Sequence, residues 1–360
     1  MIAVEAASGA YAVHCRAGAL DALGALMREA GLRGAAILIS DDAVAALHGG
    51  RACAALRDAG FEPHVAAFPA GEASKNLRTV ERLYDALLDA RAERTSPVVA
   101  LGGGVVGDVA GFVAATYLRG VPFVQCPTSL LAMVDAAIGG KVGIDHARGK
   151  NLIGAFYPPR LVVEDPALLA TLPVRSLREG FAEIIKHGLI MDPPMLDLLE
   201  RDASRFLAAD PDAMTELVAR NAALKAGVVS EDEREGGRRT ILNYGHTLGH
   251  AIEAVTGYRD VRHGEAISAG MMAAAAIGEA MGVTPPAVAE RQRALFARYG
   301  LPARLPGIDV DAVVAATALD KKVAAKRVRW VLLEDFGRPV LRDDVPDDVV
   351  RAAAAHVLAG

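Results

Sequence analysis

Residues 101–108 read Leu101-Gly102-Gly103-Gly104-Val105-Val106-Gly107-Asp108. The apolar run Pro97–Leu101 predicts a buried strand that leads into this stretch, and Asp108–Leu118 has helical spacing. Glycines let a backbone approach an anion closely, and the N-terminus of a helix offers unpaired N–H groups. The stretch therefore predicts a strand–turn–helix unit that binds a phosphate-containing ligand, with a purely structural turn as the alternative.

This glycine loop alone does not identify its ligand. Its glycines satisfy the G-x-G-x-x-G pattern of dinucleotide sites, but that pattern expects an acidic residue about twenty positions later. The chain has Cys126-Pro127-Thr128-Ser129 in that region. Asp41, just past a predicted strand, and the loop Gly71–Lys75, which carries an acid and a base, are upstream candidates for completing a nucleotide site.

Apolar runs alternate with helical stretches in the first half of the chain, which predicts a parallel sheet with helices on its faces. The predicted strands are Ala35–Ser40, Pro97–Leu101, Val121–Cys126 and Leu161–Val163. After about residue 170 the spacing is helical, apart from the strand Val328–Leu333 and its partner Pro339–Leu341. We predict an α/β chain with a Rossmann-like parallel-sheet domain over residues 1–170 and a mainly α-helical domain over residues 171–360.

Composition excludes several classes of protein. The chain has 360 residues, a formal net charge of −5 and a pI of about 6.0, so it lacks the overall basic character of a nucleic-acid-binding protein. It has no apolar run of membrane-spanning length and no N-terminal signal-peptide pattern. Its three widely spaced cysteines exclude a disulfide framework. These features predict a soluble cytoplasmic protein.

Histidines and acids cluster in three polar motifs. These are Glu183-Ile184-Ile185-Lys186-His187, Gly245-His246-Thr247-Leu248-Gly249-His250 and His263-Gly264-Glu265. The i, i+4 spacing places His246 and His250 on one helix face, but Thr247 stands where a zinc metalloprotease has its catalytic glutamate. Two imidazoles plus one carboxylate are a common catalytic zinc set. The motifs therefore predict a metal site without protease chemistry.

Basic and amide residues recur among glycines in an otherwise acidic chain. They include Lys141, Lys150, Asn151, Lys225, Arg239 and Asn243, with Asp135 nearby in the sequence. This pattern indicates an anionic small-molecule substrate, and the missing aromatic stacking pattern argues against single-stranded nucleic acid. For Lys321 and Lys322, an ordinary surface position explains the charge as well as binding of this substrate does.

The order of these motifs closely resembles the 3-dehydroquinate synthase family. The resemblance extends from about Asp41 to Lys322 and includes Pro127–Asp135, Gly149–Gly154 and Leu242–Ala251. It implies conversion of 3-deoxy-D-arabino-heptulosonate 7-phosphate, a phosphorylated sugar acid, to 3-dehydroquinate and phosphate, with NAD+ and a divalent metal, zinc or cobalt. It also implies a homodimer in which Arg119 reaches the neighbouring subunit's site.

The resemblance assigns roles to individual residues. The implied metal ligands are Glu183, His246 and His263. The implied substrate-contacting residues are Lys186, Lys225, Arg239, Asn243 and His250 from the helical domain, and Asp135, Lys141, Lys150 and Asn151 from the nucleotide domain. The implied NAD+ contacts are Asp41, Glu72, Lys75, Gly103, Gly104, Asp108, Thr128, Ser129, Thr171 and Leu172, together with Lys141 and Lys150.

Three positions depart from the family pattern and keep alternatives open. Ala43, Pro158 and Ser176 replace residues that are frequent in the family near the cofactor, which leaves a related sugar-phosphate cyclase possible. The unaltered Arg239, Asn243 and His250 favour dehydroquinate. A metal-dependent polyol dehydrogenase would share the glycine loop and the histidine pair but would not need several cations, and a non-catalytic regulator would leave the acid–base set unexplained.

Overall fold

The computed structural model describes residues 1–258, 260–324 and 328–359, with the side chains of 318–324 excluded. In these residues the chain forms two compact units, one of residues 1–173 and 209–234 and one of residues 174–208 and 235–360. The side chains of Lys321 and Lys322 lie outside the described set. No helix in the described part of the chain is long and apolar enough to cross a membrane.

The first unit is built on a seven-stranded sheet in the order β1-β2-β9-β6-β5-β3-β4, with a separate β7–β8 hairpin. The strands are β1 Ile2–Ala6, β2 Gly9–Cys15, β3 Ala35–Asp41, β4 Glu62–Phe68, β5 Val98–Gly102, β6 Phe123–Pro127, β7 Lys141–His146, β8 Gly149–Phe156 and β9 Leu161–Glu164. All neighbours in the large sheet are parallel except β1 and β2. The predicted Rossmann-like parallel sheet is thereby confirmed.

The helices of the first unit cover both faces of this sheet. They are α1 Leu23–Glu29, α2 Asp42–Val44, α3 Gly50–Asp58, α4 Leu77–Asp89, α5 Gly104–Thr116 and α9 Pro211–Glu231. One core cluster packs α4 and α5 on the sheet, a second packs α1 and α3, and a third packs α9 against β1 and β2. Short 3-10 or π turns occupy Ala19–Ala22, Ala45–Gly49, Glu72–Ser74, Tyr117–Arg119, Ala132–Ala136 and Pro166–Thr171.

The second unit is mainly helical, as the sequence predicts. Its elements are α6 Val174–Ile190, α7 Pro193–Arg201, α8 Ala203–Leu207, the 3-10 turn Arg238–Asn243, α10 His246–Val255, α11 His263–Ala280, α12 Pro286–Tyr299, α13 Val310–Ala324, β10 Trp330–Asp335, β11 Arg338–Arg342 and α14 Asp347–Leu358. The predicted pair of strands near the C-terminus forms and is antiparallel, with Trp330 opposite Arg342. Helix α11 is almost entirely buried, because small residues fill most of its positions.

Candidate active site

The glycine loop connects β5 to α5 in a tight turn. Helix α5 begins at Gly104, earlier than its apolar spacing predicts, because the loop glycines form its first turn with Gly103 as the N-cap. A Cβ at Gly107 would lie 2.8 Å from Gln125 Oε1 of β6, so a larger residue there would have to displace this side chain between α5 and the sheet. The first backbone N–H groups of α5 have no acceptor within their own helix and can bind an anion.

Two polar residues at the end of β6 lie beside this turn. The backbone N–H of Thr128 donates to the carbonyl of Gly102 at 2.9 Å. A Cβ at Gly103 would lie 3.4 Å from Ser129 Oγ. The implied NAD+ contacts Gly103, Gly104, Thr128 and Ser129 therefore meet at the carboxyl ends of β5 and β6, where open parallel sheets bind their ligands.

A charge cluster around the buried Lys75 joins the 72–75 segment, α5 and the β7–β8 hairpin. Lys75 Nζ donates to Asp108 Oδ2 at 2.5 Å and also to Asn151 Oδ1, and Lys150 Nζ forms an ion pair with Glu72 Oε1 at 2.7 Å. Burial alone would lower the pKa of Lys75, but the Asp108 carboxylate raises it overall. Five residues that the resemblance assigns to NAD+ or substrate thus form two sets of direct side-chain contacts, one around Lys75 and one between Lys150 and Glu72.

The remaining implied NAD+ contacts have structural partners of their own. Asp41 Oδ1 accepts the Val44 N–H at 2.8 Å and caps α2. Thr171 Oγ1 lies 2.9 Å from His48 Nε2, a buried imidazole that sequence reasoning missed. Leu172 directly follows the 3-10 turn that contains Thr171. The assignment of these residues to NAD+ stays a prediction.

Helix α9 brings a lysine to the first unit. Lys225, which is 4% exposed, donates to both the carboxylate and the backbone carbonyl of Asp135. Sequence reasoning placed Lys225 in the second domain, whereas residues 209–234 belong to the first compact unit. Lys141 at the start of β7 and Arg119 at the end of the 3-10 turn Tyr117–Arg119 are exposed.

The implied metal ligands converge in the second unit. Glu183 lies in the middle of α6, and His246 and His263 are the first residues of α10 and α11. Potential ligand atoms of these three residues all lie within 4.8 Å of one another. Glu183 Oε1 is 3.4 Å from His246 Nε2 and 3.6 Å from His263 Nε2.

Close backbone contacts at glycines explain how α6, α10 and α11 approach one another at this site. A Cβ at Gly264 would lie 2.6 Å from the backbone of Glu179, so the N-terminus of α11 packs directly on α6. A Cβ at Gly270 would lie 2.1 Å from the carbonyl oxygen of Gly245, which joins α11 to the start of α10. Gly245 itself has φ of 78°, in the left-handed region that favours glycine. These contacts fix the distances among the three side chains.

The donor set fits a divalent metal such as zinc. Ligand atoms about 2.05 Å from tetrahedral zinc stand about 3.3 Å from one another, close to the separations from Glu183 Oε1 to the two Nε2 atoms. Neither oxygen of Glu183 accepts a hydrogen bond of acceptable geometry, although Lys186 Nζ makes an ion pair with Oε2. His246 Nδ1 lies 3.1 Å from the Tyr244 carbonyl oxygen, so a proton there leaves Nε2 free to coordinate.

The electrostatics of this centre favour an ionised carboxylate. Glu183 is fully buried, and burial alone would raise its pKa, but Lys186 and the two imidazoles hold the pKa well below its usual range. Burial and the Lys186 ammonium lower the pKa of His246 well below its usual value. A neutral His246 beside an anionic Glu183 is the protonation state that metal binding requires. Burial alone would lower the pKa of His263, but Glu183 and Glu253 raise it to about 10, so a metal must displace a proton from this second imidazole.

The other residues assigned to substrate lie near the start of α10 in the chain. Arg239 is 3% exposed in the turn Arg238–Asn243, and His250 is exposed one helical turn after His246. Asn243 Nδ2 contacts Glu235 Oε1 at 3.5 Å. Glu235 is not among the residues that the sequence analysis predicts for the site, although it lies only four residues before Arg239.

Comparisons with known proteins match nearly the whole chain. Residues 65–179 match the model of the 3-dehydroquinate synthase N-terminal region, and residues 180–323 match that of the C-terminal region. A 3-dehydroquinate synthase of Nostoc punctiforme is 47% identical over 356 residues, which cover 98% of each chain.

Two solved structures have the same fold. The 2-epi-5-epi-valiolone synthase ValA of Streptomyces hygroscopicus subsp. jinggangensis 5008, with NAD+ and Zn2+ bound, is 30% identical with a TM-score of 0.89 over 96% of each chain. A 2-deoxy-scyllo-inosose synthase with carbaglucose-6-phosphate, NAD+ and Co2+ is 27% identical with a TM-score of 0.90 over 99% of each chain. With two family models matched in sequence order and 47% identity over nearly its full length, the chain belongs to the 3-dehydroquinate synthase family.

Proposed function

We propose that this chain is an enzyme that converts 3-deoxy-D-arabino-heptulosonate 7-phosphate to 3-dehydroquinate and phosphate, the second step of the shikimate pathway. The observation that carries this proposal is the buried Glu183 carboxylate facing the Nε2 atoms of His246 and His263 in a member of this family. In this proposal the first unit binds NAD+ and the second binds metal, with a boundary near residue 170 except for the α9 segment.

Two bound groups would supply the redox and Lewis-acid chemistry. Glu183, His246 and His263 would hold one zinc or cobalt ion, which polarises an alcohol of the substrate when bound. NAD+, when bound, would supply a reversible hydride acceptor for that alcohol, so that the reaction would proceed without net oxidation. The N-terminus of α5 would hold the NAD+ pyrophosphate, because its unpaired N–H groups favour an anion.

The chain's own residues would orient the substrate and move its protons. Lys186, paired with Glu183, would stabilise negative charge that develops on the oxygen of the alcohol. His250 would take the proton of this alcohol. Asn243 would donate to a substrate oxygen. Phosphate elimination and the closing aldol reaction then need positioning more than further acid–base groups.

Four groups would hold the two anionic ends of the substrate. They are Lys141, Asn151, Lys225 and Arg239. Asp135, which accepts two hydrogen bonds from Lys225 Nζ, would hold that ammonium in place. The remaining NAD+ contacts in this proposal are Asp41, Glu72, Lys75, Asp108, Thr128, Ser129, Lys150, Thr171 and Leu172.

We also propose a homodimer in which Arg119 reaches the neighbouring subunit's site. Arg119 is exposed beside Leu118, an apolar side chain that is 41% exposed. Light scattering should give twice the monomer mass, and mixing Arg119→Ala chains with His246→Ala chains should restore part of the activity by forming one intact site. Inactive mixtures of stable dimers would contradict this role. The proposed location of the enzyme is the cytoplasm, where its three free cysteines stay reduced.

Simultaneous recording of phosphate release and NADH absorbance tests the proposed reaction. With substoichiometric NAD+ and the heptulosonate 7-phosphate, we expect many phosphates per NAD+ and no accumulating NADH, and no turnover after chelation of the metal. One NADH per substrate would identify a polyol dehydrogenase instead. A seven-carbon sugar phosphate without the carboxylate is the matched control, and its faster turnover would identify a related cyclase.

A further inference from the structure

His263 lies between two buried carboxylates. Its Nε2 atom is 3.6 Å from Glu183 Oε1, and its Nδ1 atom is 3.5 Å from Glu253 Oε1. Glu253 is 5% exposed and belongs to α10, the helix that begins with His246. Sequence reasoning left Glu253 without a role, although it follows His250 by three residues.

In a neutral imidazole only one of the two nitrogens can coordinate a metal. A metal needs the lone pair of one nitrogen, so the proton of the neutral ring must sit on the other. A carboxylate that accepts this second N–H fixes the tautomer and the ring orientation and makes the first nitrogen a stronger ligand. Glu253 is placed to accept the Nδ1 proton while Nε2 faces Glu183.

The alternative is that Glu253 is itself a ligand. Ligand atoms of His250, Glu253 and His263 also lie within 4.8 Å of one another, so a second ion could use Nδ1 of His263. The first set contains the fully buried Glu183 and no exposed residue, whereas the second contains the exposed His250. A buried carboxylate without hydrogen bonds, such as Glu183, is also the better site for a cation. These differences favour a supporting role for Glu253.

We propose that Glu253 is a positioning residue that accepts the Nδ1 proton of His263 and so holds Nε2 of this imidazole ready for the metal. This inference rests on the proposed function of the site. It predicts that Glu253 acts on metal affinity, a property that can be measured without turnover.

Competition between the protein and a chromophoric chelator for Zn2+ tests this role. We expect the zinc affinity of Glu253→Ala to fall about 10–100-fold, and that of Glu253→Gln to fall less, because its amide oxygen still accepts a hydrogen bond. Glu279→Gln, at an exposed position near the other end of the same helix as His263, is the matched control and should bind zinc like the wild type. Circular dichroism of the metal-free variants shows that each retains its fold.

Each outcome of this experiment bears on the proposal. Equal zinc affinities for Glu253→Ala and the wild type would overturn it. A wild type that binds two ions, with Glu253→Gln binding one, would also overturn it and make Glu253 a ligand. A wild type that binds zinc but releases no phosphate would refute the proposed function and leave the role of Glu253 intact, whereas a wild type that binds no zinc refutes both.

Discussion

Glu164 at the end of β9 should make the stability of the first unit fall as the pH rises. Its side chain is fully buried, and neither carboxylate oxygen accepts a hydrogen bond. Its neighbour in the paired strand is Cys15, whose thiol is only a weak donor. Burial therefore raises the pKa of Glu164 well above its usual value of 4.5. The folded chain holds this proton at pH values where the unfolded chain has lost it.

The sign and size of the effect follow from proton linkage. Above pH 4.5 the unfolded state binds one proton fewer than the folded state, so each pH unit costs the wild type about 1.4 kcal/mol, until the pH exceeds the raised pKa. Glu164→Gln cannot ionise and escapes this cost. Relative to the wild type, it should gain stability steadily as the pH rises from 5 to 7, by up to about 1.4 kcal/mol for each pH unit. In a unit of 150–250 residues each 1 kcal/mol of this gain corresponds to about 2–4 °C in Tm.

Scanning calorimetry of both proteins at pH 5, 6 and 7 measures this difference. Glu81→Gln, an exposed position in the same unit, is the matched control for loss of one carboxylate. A stability difference between Glu164→Gln and the wild type that stays constant over this range would refute the reasoning, because it would mean that Glu164 ionises alike in both states.

Three further predictions concern the site. His246→Ala should lose bound metal and activity together, as measured by elemental analysis and phosphate release, and full activity after exhaustive chelation would contradict it. Arg239→Ala should lower kcat/KM at least about tenfold, because a charge-assisted contact to a desolvated anion contributes about 1.5–3 kcal/mol; an unchanged value would remove Arg239 from the substrate site. Lys75→Met should weaken NAD+ binding at least about tenfold in titration calorimetry, because it removes the ammonium that holds Asp108 and Asn151 in place; unaltered affinity would show that the cluster only stabilises the fold.

The central strands of the fold could be predicted because they carry their own signal. Buried parallel strands are short apolar runs that end in turn residues, and β3, β5, β6 and β9 all have this form. The β7–β8 hairpin lacks it, since β8 contains Lys150 and Asn151 and alternates weakly. Helix α9 was predicted as a helix, but its membership of the first unit depends on packing against β1 and β2, which no local pattern encodes.

The contacts in the candidate site also differ in whether a local sequence pattern could predict them. Residues close in sequence, such as His246 and His250, could be grouped from spacing alone because helix geometry fixes their separation. The contact of Lys75 with Asp108 and Asn151 joins residues 33 and 76 positions apart. Such pairings follow from the order of strands in the sheet. The contact between Glu253 and His263 likewise requires the glycines that bring α10 and α11 together.

Glu164 and Glu183 are both fully buried but differ in whether the carboxylate is ionised. Glu164 and Glu183 both have oxygens without hydrogen bonds, so burial and missing partners do not distinguish them. Glu183 is surrounded by Lys186 and two imidazoles, which hold its pKa well below the usual range, whereas burial raises the pKa of Glu164. An ionised carboxylate that is buried among nitrogen donors can bind a metal directly, and a protonated one cannot. The direction of the pKa shift, more than its existence, therefore supports Glu183 as the metal ligand.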